Sequence, residues 1–483
     1  MRTRTRTLTA LTGVIAALVV SSVAGTLGMA PAGAASTTHS TYSAAAALSG
    51  PITTGHIIEP LTSQPSYLAA NGYMEQEFFA SGTATAFKAT SMPSNGKWTI
   101  VPKSTASYRT RILVRRPESA ARFNGTVVVE WMNVSDGESA PDWDYLNPEL
   151  MRDGYAYVAV SAQAQGVNGG KPILGSPATG LVGSEPARYG TLHHPGDQYA
   201  LDMFAQIGRS VGKNSDGVLG NLHPKHMVAV GESQSAFYLT TFADALQPLT
   251  NTFDGIFIHS RGGSGGPLSG PLTTKVGPSN LRIRTDLRVP VFMFETQTDL
   301  VELGYGAAQQ PNTRRIRTWE VAGTSHADAF IVGAAAKLIG CTSPVNDGPQ
   351  HIVVQAAFSA FMKWVLDGKP PPSPPPFRLS STKPVTLALD SHGNVIGGVR
   401  TPAVDVPVST LSGAAPTGAS AICSLFGSTT PFSPQMLVAL YQTKSNYIAA
   451  YTASLDKAIK GGFILQADRA GLLAQAQQVA FPS

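Results

Sequence analysis

The chain has 483 residues, of which 43% are hydrophobic and 13% are charged, so it can bury a large core and is not an intrinsically disordered protein. Its formal net charge is +5, but its lysines and arginines form no stripe, which argues against a nucleic-acid-binding protein. The sequence contains no internal repeat of the kind that indicates a solenoid or a propeller.

The first residues have the pattern of an export signal. Three arginines near the start are followed by an apolar run, and Ala32-Gly33-Ala34 offers a small-x-small cleavage site. We therefore expect residues 1–34 to be a cleaved signal peptide. The mature protein, with a net charge of +2, is expected to be secreted without stable membrane insertion. The alternative is an uncleaved anchor, because the apolar run is close to the length that spans a bilayer.

The segments after the signal predict a flexible start and then a sheet. Residues 35–65 are rich in Ser, Thr, Ala and Gly, and we expect them to form a flexible mature N-terminus. Residues 108–114 alternate with a period of two, and Pro117 follows shortly after them. This pattern predicts an antiparallel strand at the edge of a sheet.

Short apolar strands alternate with helices from residue 126 onwards. Strands are predicted at 126–131, 155–161, 226–230, 255–259, 289–294 and 316–321. Helices are predicted before Gly154 and at 196–211, 234–246 and 350–366. Near-continuous apolar strands separated by helices indicate an α/β fold with a mostly parallel central sheet and helices on both faces.

The remaining segments complete the predicted domain organisation. Residues 162–195 lack periodicity and are rich in Gly and Pro, so they are expected to form an insert that shapes a cap or rim over a site. Residues 66–371, with this insert, are expected to form the core. A proline-rich spacer follows, and residues 372–483 are expected to be a C-terminal elaboration packed on the same core.

One serine has the local context of a nucleophile. It lies in Gly231-Glu232-Ser233-Gln234-Ser235, between a predicted strand and a predicted helix. A serine that attacks acyl groups must leave its strand on a tight turn, with small residues two positions before and after it. Gly231 and Ser235 are small, although Ser235 stands where a glycine is usual. We interpret Ser233 as a nucleophile; the alternative is an ordinary helix N-cap.

A nucleophilic serine needs a histidine base and an acid that orients it, here expected in the order serine, acid, histidine. His326 follows the predicted strand at 316–321, and catalytic groups gather at that end of parallel strands. Asp299, a few residues past the strand at 289–294, is the predicted acid. Glu295, at the end of that strand, is the alternative acid, and Asp328 is a third candidate.

Acyl transfer also needs hydrogen-bond donors for the oxyanion that develops on the carbonyl. One donor is expected to be the backbone N–H of Gln234, directly after the nucleophile. The second is expected from the loop after the strand at 126–131, at Asn133 or Val134. The residues alone do not choose between these two, and the alternative for this loop is a plain turn.

The cysteine and histidine content predicts a disulfide and no metal site. Cys341 and Cys423 are the two cysteines of the chain, and in an exported protein they most simply form one disulfide. The alternative is two unrelated buried thiols. Two cysteines without a histidine at ligand spacing do not build a metal shell, so we expect neither a metal nor a cofactor. His259 precedes a glycine-rich loop that is expected to line the rim of the site.

Several segments together resemble the α/β-hydrolase superfamily and, more narrowly, a bacterial family known as the alpha/beta hydrolase domain family. They include TVVVEWMNVS, VAVGESQSAFYLTTF, FETQTDL, AGTSHAD and GNVIGGVRTPAVDVPV, and the resemblance spans most of residues 60–480. It implies the α/β-hydrolase fold and hydrolysis of an ester or similar acyl bond without a metal. The matching positions are Ser233 for the nucleophile and His326 for the base.

These observations predict a secreted serine hydrolase that cleaves carboxylic esters through Ser233, Asp299 and His326 and an acyl-enzyme. The substrate is expected to be a small-molecule or polymeric ester. One alternative is a peptidase or amidase with the same three residues. Another is a catalytically silent secreted binding protein that keeps the fold.

Overall fold

The computed structural model describes residues 44–61, 67–272, 277–333 and 340–481. The expected signal peptide at 1–34 therefore lies outside the described residues. Across the described ranges, no helix is both long and apolar enough to cross a membrane.

A central sheet organises the described chain. Its strands are β1 (Ala47–Ser49), β2 (Tyr73–Ser91), β3 (Thr99–Pro117), β4 (Thr126–Trp131), β5 (Ala156–Val160), β6 (His226–Glu232), β7 (Gly255–His259), β8 (Val291–Glu295) and β9 (Ile316–Glu320). They lie in the order β1-β2-β3-β5-β4-β6-β7-β8-β9. The pairs from β5 to β9 are parallel, whereas β1, β2 and β3 add an antiparallel side that ends on β5.

Helices and two hairpins surround this sheet. The helices are α1 (Pro141–Arg152), α2 (Ala164–Asn168), α3 (Gly180–Ser184), α4 (Pro186–Tyr189), α5 (Ala200–Gly212), α6 (Gln234–Thr241), α7 (Gln247–Thr250), α8 (Gln297–Val301), α9 (Ala329–Val332), α10 (Gln350–Asp367), α11 (Pro402–Asp405), α12 (Pro434–Tyr441), α13 (Lys444–Lys460) and α14 (Arg469–Gln478). A π-helical turn, Phe242–Leu246, separates α6 from α7. The hairpins are β10 (Leu379–Thr382) with β11 (Val385–Leu387), and β12 (Ser409–Ser412) with β13 (Ser428–Pro431).

The strands bury side chains on both faces of the sheet because successive residues point to opposite sides. Along β4, Val127, Val129 and Trp131 belong to one apolar layer and Val128 belongs to the other. Helices α5 and α6 contribute to the first layer, and α1 and α10 contribute to the second. The predicted fold class, a mostly parallel sheet with helices on both faces, is confirmed.

The antiparallel side differs from the sequence expectation in two respects. The strand expected at 108–114 is part of the longer β3, which lies between β2 and β5 and is not the edge. The edge is β1, which falls within the segment 35–65 that was expected to be flexible. Ala46 and Leu48 are buried in the core there, so residues 44–61 include a sheet strand. A three-residue strand is too short to show a period in the sequence.

The insert and the C-terminal part both pack on the core. The insert at 162–195 contains the short helices α2, α3 and α4, and Leu181 and Tyr189 from it are buried against Phe79 of β2. In the C-terminal part, Phe377 and Leu411 are buried in the apolar layer that also holds side chains of the central sheet. Both segments therefore share buried surface with the sheet.

Cys341 and Cys423 form the predicted disulfide, which closes a sequence separation of 82 residues. Replacing both cysteines with serine is expected to lower the free energy of unfolding by about 4 kcal/mol, because the unfolded chain regains the entropy of a long loop. Urea unfolding of the wild type and of the double variant measures the difference. Adding a reductant should destabilise the wild type but not the variant, and equal stabilities would contradict this prediction.

Candidate active site

Ser233 stands on a sharp turn between β6 and α6. Its backbone has φ 58° and ψ −120°, a combination that non-glycine residues rarely adopt and that the surroundings must hold in place. The N–H of Ser233 donates to the carbonyl oxygen of His259 at 3.0 Å, and its carbonyl oxygen accepts the N–H of Phe237 at 3.2 Å. A Cβ at Gly231 would lie 2.9 Å from a side-chain methyl of Leu239 and 3.0 Å from Cβ of Ser235, so this crowded position favours the small residue predicted before the serine.

His326 connects Ser233 with Asp299. The Nε2 atom of His326 is 2.7 Å from Ser233 Oγ, and its Nδ1 atom is 2.6 Å from Asp299 Oδ1. The other carboxylate oxygen, Oδ2, accepts the backbone N–H of Thr296 at 2.6 Å and its hydroxyl at 2.8 Å. Asp299 and His326 are buried, whereas Ser233 is half-buried. The chain Asp299–His326–Ser233 is thus hydrogen-bonded throughout and ends at the hydroxyl of a half-buried serine.

The two other predicted acids lie elsewhere. Glu295 is fully buried, and neither of its carboxyl oxygens has a hydrogen-bond partner among the described residues. Burial raises the pKa of Glu295 well above its usual range. Asp328 accepts the N–H of Phe330 at 3.1 Å and so caps α9. Of the three candidate acids, the structure therefore brings Asp299 to the ring of His326.

The loop after β4 distinguishes the two candidate oxyanion donors. The backbone N–H of Asn133 already donates to the carbonyl oxygen of Ser139 at 2.9 Å, and its side-chain amide donates to Glu232. The backbone N–H groups of Val134 and Gln234 donate to no acceptor in the part of the chain that the structure describes. The hydrogen bonding therefore disfavours Asn133 and leaves Val134 and Gln234 as the candidate pair.

Glu232 is a site residue that the sequence does not predict. Its Oε1 atom is 3.6 Å from His326 Nε2, and its side chain is buried. Burial raises the pKa of Glu232 well above its usual range, which favours the protonated carboxyl beside the imidazole. The sequence feature that could have identified Glu232 is its position directly before Ser233, at the end of a strand.

A family model described as an alpha/beta hydrolase domain matches residues 48–474. The chain belongs to the alpha/beta hydrolase domain family. Within the described residues of this alpha/beta hydrolase, no group of three or more histidine, cysteine, aspartate or glutamate side chains could hold a metal ion.

Solved structures similar to this alpha/beta hydrolase are distant. A fungal esterase from Rhizomucor miehei is 11% identical with a TM-score of 0.32, and the match covers 59% of this chain and 85% of that one. Esterase Est22 is 12% identical with a TM-score of 0.31, over 56% of this chain and 78% of that one. The comparison with curated proteins found no match.

The stability of this alpha/beta hydrolase is expected to depend on pH through Asp328. Burial raises the pKa of Asp328 to about 7. The folded state therefore holds a proton that the unfolded state releases near pH 4, and the contribution of Asp328 to stability falls as the pH rises to about 7. Asp328→Asn keeps an acceptor for the N–H groups at the start of α9 but cannot ionise.

The stability of Asp328→Asn relative to the wild type should therefore increase by on the order of 2 kcal/mol between pH 5 and pH 7. Urea unfolding at unit steps of pH measures this difference. The exposed Asp456→Asn serves as the control and should show no comparable trend in this range. A flat difference curve for Asp328→Asn would contradict the assignment.

Proposed function

We propose that this alpha/beta hydrolase is a serine hydrolase that cleaves carboxylic esters. The single observation that carries the proposal is the hydrogen-bonded chain in which His326 contacts Ser233 Oγ at 2.7 Å and Asp299 Oδ1 at 2.6 Å. A serine within hydrogen-bond reach of a histidine that is itself oriented by a carboxylate is the arrangement that activates a hydroxyl for attack.

Each group has a defined step in the proposed mechanism. Ser233 Oγ attacks the acyl carbon while His326 Nε2 takes its proton, and Asp299 keeps Nδ1 protonated and the ring in place. The carbonyl oxygen becomes an oxyanion that accepts the N–H groups of Gln234 and Val134. His326 then returns the proton to the leaving alcohol, which leaves an acyl-enzyme on Ser233. Water, deprotonated by His326, hydrolyses the acyl-enzyme and restores the serine.

We also propose that the protein is exported. The signal-peptide pattern at 1–34 supports this, and so does the disulfide between Cys341 and Cys423, since disulfides persist in oxidising compartments. The proposed substrate is a small-molecule or polymeric ester that reaches Ser233 from solvent. The half-buried position of Ser233 supports such access.

Labelling with a fluorophosphonate probe tests the proposal directly. The probe bonds covalently to an activated serine, so peptide mapping of the labelled mature protein should place the adduct on Ser233. Failure to label, with the protein folded, would contradict the proposal and favour a silent binding protein. p-Nitrophenyl butyrate and butyryl p-nitroanilide share the acyl group and the nitrophenyl ring and differ in the bond that is cleaved, an ester or an amide. Hydrolysis of the ester but not of the anilide is expected, and faster hydrolysis of the anilide would indicate an amidase.

A further inference from the structure

A second histidine lies beside the turn that carries Ser233. His259 ends β7, the strand next to β6, and its ring is fully buried. Its Nδ1 atom is 2.9 Å from Oδ1 of Asp142, which is also fully buried. Burial lowers the pKa of His259 to about 3 and raises the pKa of Asp142 well above its usual range. Both shifts favour the neutral forms, and a directional hydrogen bond joins the two side chains.

Packing fixes the orientation of the His259 ring. The ring lies edge-on to Tyr145, with 5.3 Å between the ring centroids, and edge-on to Phe294, with 5.0 Å between the centroids. A ring held from two sides cannot turn to find another partner for Nδ1. The position of Asp142 is consequently tied to that of His259.

The pair connects the two segments that carry the proposed catalytic groups. On one side, the carbonyl oxygen of His259 accepts the N–H of Ser233 at 3.0 Å. On the other side, Asp142 lies in the first turn of α1, directly after the loop at 132–140 that includes Val134. The hydrogen bond between the side chains of His259 and Asp142 therefore joins two segments. One is β7, which accepts the N–H of Ser233, and the other is the end of the loop that carries Val134.

The beginning of this loop is anchored separately. Glu130, near the end of β4, accepts the backbone N–H of Asp142 at 3.0 Å and that of Trp143 at 2.8 Å. The hydroxyl of Tyr157 donates to the same carboxyl group at 2.7 Å. The loop thus leaves the sheet and returns to it at one point.

The loop also contacts the turn of the nucleophile through Asn133 Nδ2, which donates to the carbonyl oxygen of Glu232, and Ser135 Oγ, which donates to Gln234 Oε1. The bond from Asp142 to His259 adds the side-chain contact between the end of the loop and β7.

We propose that His259 and Asp142 are positioning residues, whose hydrogen bond holds the loop of Val134 at the distance from Ser233 at which both amide donors meet the oxyanion. This inference rests on the proposed ester hydrolysis. Displacement of a catalytic group by about 1 Å lowers rates by on the order of 100-fold, so loss of the bond should act on kcat.

Two substitutions of His259 form a matched test. Asparagine carries its amide close to the position of Nδ1 and keeps a partner for Asp142, whereas glutamine carries its amide close to the position of Nε2 and does not. We expect His259→Asn to retain kcat for p-nitrophenyl butyrate within about threefold. We expect His259→Gln to lose about 10- to 100-fold in kcat with KM nearly unchanged, because an oxyanion donor contributes in the transition state.

A merely structural role predicts the opposite ranking. Glutamine fills more of the volume of the imidazole than asparagine does, so packing alone would make His259→Gln the better enzyme. Rates are normalised to the active sites titrated with the fluorophosphonate probe, so that misfolded protein does not count. Asp142→Asn keeps a hydrogen-bonding partner for His259, whereas Asp142→Ala removes it, so this pair tests the same bond from the side of Asp142. These variants replace the His259 variants if one of those does not fold.

The outcomes separate the two proposals. A wild type that neither binds the probe nor hydrolyses the ester contradicts the proposed function. An active wild type with equal kcat per titrated site in His259→Asn and His259→Gln, or in Asp142→Asn and Asp142→Ala, overturns the positioning role and leaves the proposed function intact.

Discussion

Ser233→Ala is expected to lower kcat for p-nitrophenyl butyrate by about 10⁵-fold, because it removes the proposed nucleophilic oxygen. The residual rate should come from the oxyanion donors and from substrate binding. Alanine adopts the backbone conformation of Ser233 no less readily than serine does, so the melting temperature should stay within a few degrees. Steady-state kinetics and thermal unfolding of the purified mature protein measure both quantities.

A matched control removes a hydroxyl outside the site. Ser380 is exposed on the β10–β11 hairpin, and Ser380→Ala should have the kcat of the wild type. Retention of more than about 1% of kcat in Ser233→Ala would show that another group carries the reaction.

Asp299→Asn is expected to lower kcat by about 10⁴-fold with little loss of stability. Asparagine is isosteric and its carbonyl oxygen can still accept the hydrogen bonds from Thr296. Its amide then faces Nδ1 of His326 as a donor, which forces the proton onto Nε2, and the ring can no longer act as a base. The kcat of the variant at saturating p-nitrophenyl butyrate measures the effect.

Glu295→Gln is the control for the choice of acid. Burial raises the pKa of Glu295 well above its usual range and so favours its neutral form, which glutamine matches closely in size. We expect kcat to change by less than about threefold. A large loss in Glu295→Gln together with an active Asp299→Asn would reverse the assignment.

Much of the fold and part of the candidate site could be predicted from local patterns. The strands β4 to β9 are short apolar runs separated by helices. Such runs are typical of parallel strands in a sheet whose two faces are covered by helices. Ser233 could be predicted because the crowded position that favours a glycine, Gly231, lies only two residues before it, so the pattern is visible in the local sequence. His326 was predictable because it follows the last strand of the sheet at the end where ligands bind.

The choice of acid needed the tertiary structure. Asp299 and Glu295 lie within a few residues of each other after the same strand, and the order of residues along the chain permits either. Side chains alternate along β8, so Glu295 shares a face with Met293, which belongs to an apolar layer. Asp299 lies in the first turn of α8, where Thr296 holds one carboxylate oxygen and leaves the other for His326.

By itself, the sequence determined the properties that depend on neighbours along the chain: the alternation of strands and helices, the tight turn at Ser233 and the pairing of the two available cysteines. Only the tertiary structure decided that β1 forms the edge, that the backbone N–H of Asn133 donates to Ser139, and that His259 contacts Asp142. These features are contacts between residues that are not neighbours in the sequence. The distances between these residues depend on how separate strands and loops pack in the folded protein. A local sequence pattern contains no information about such packing.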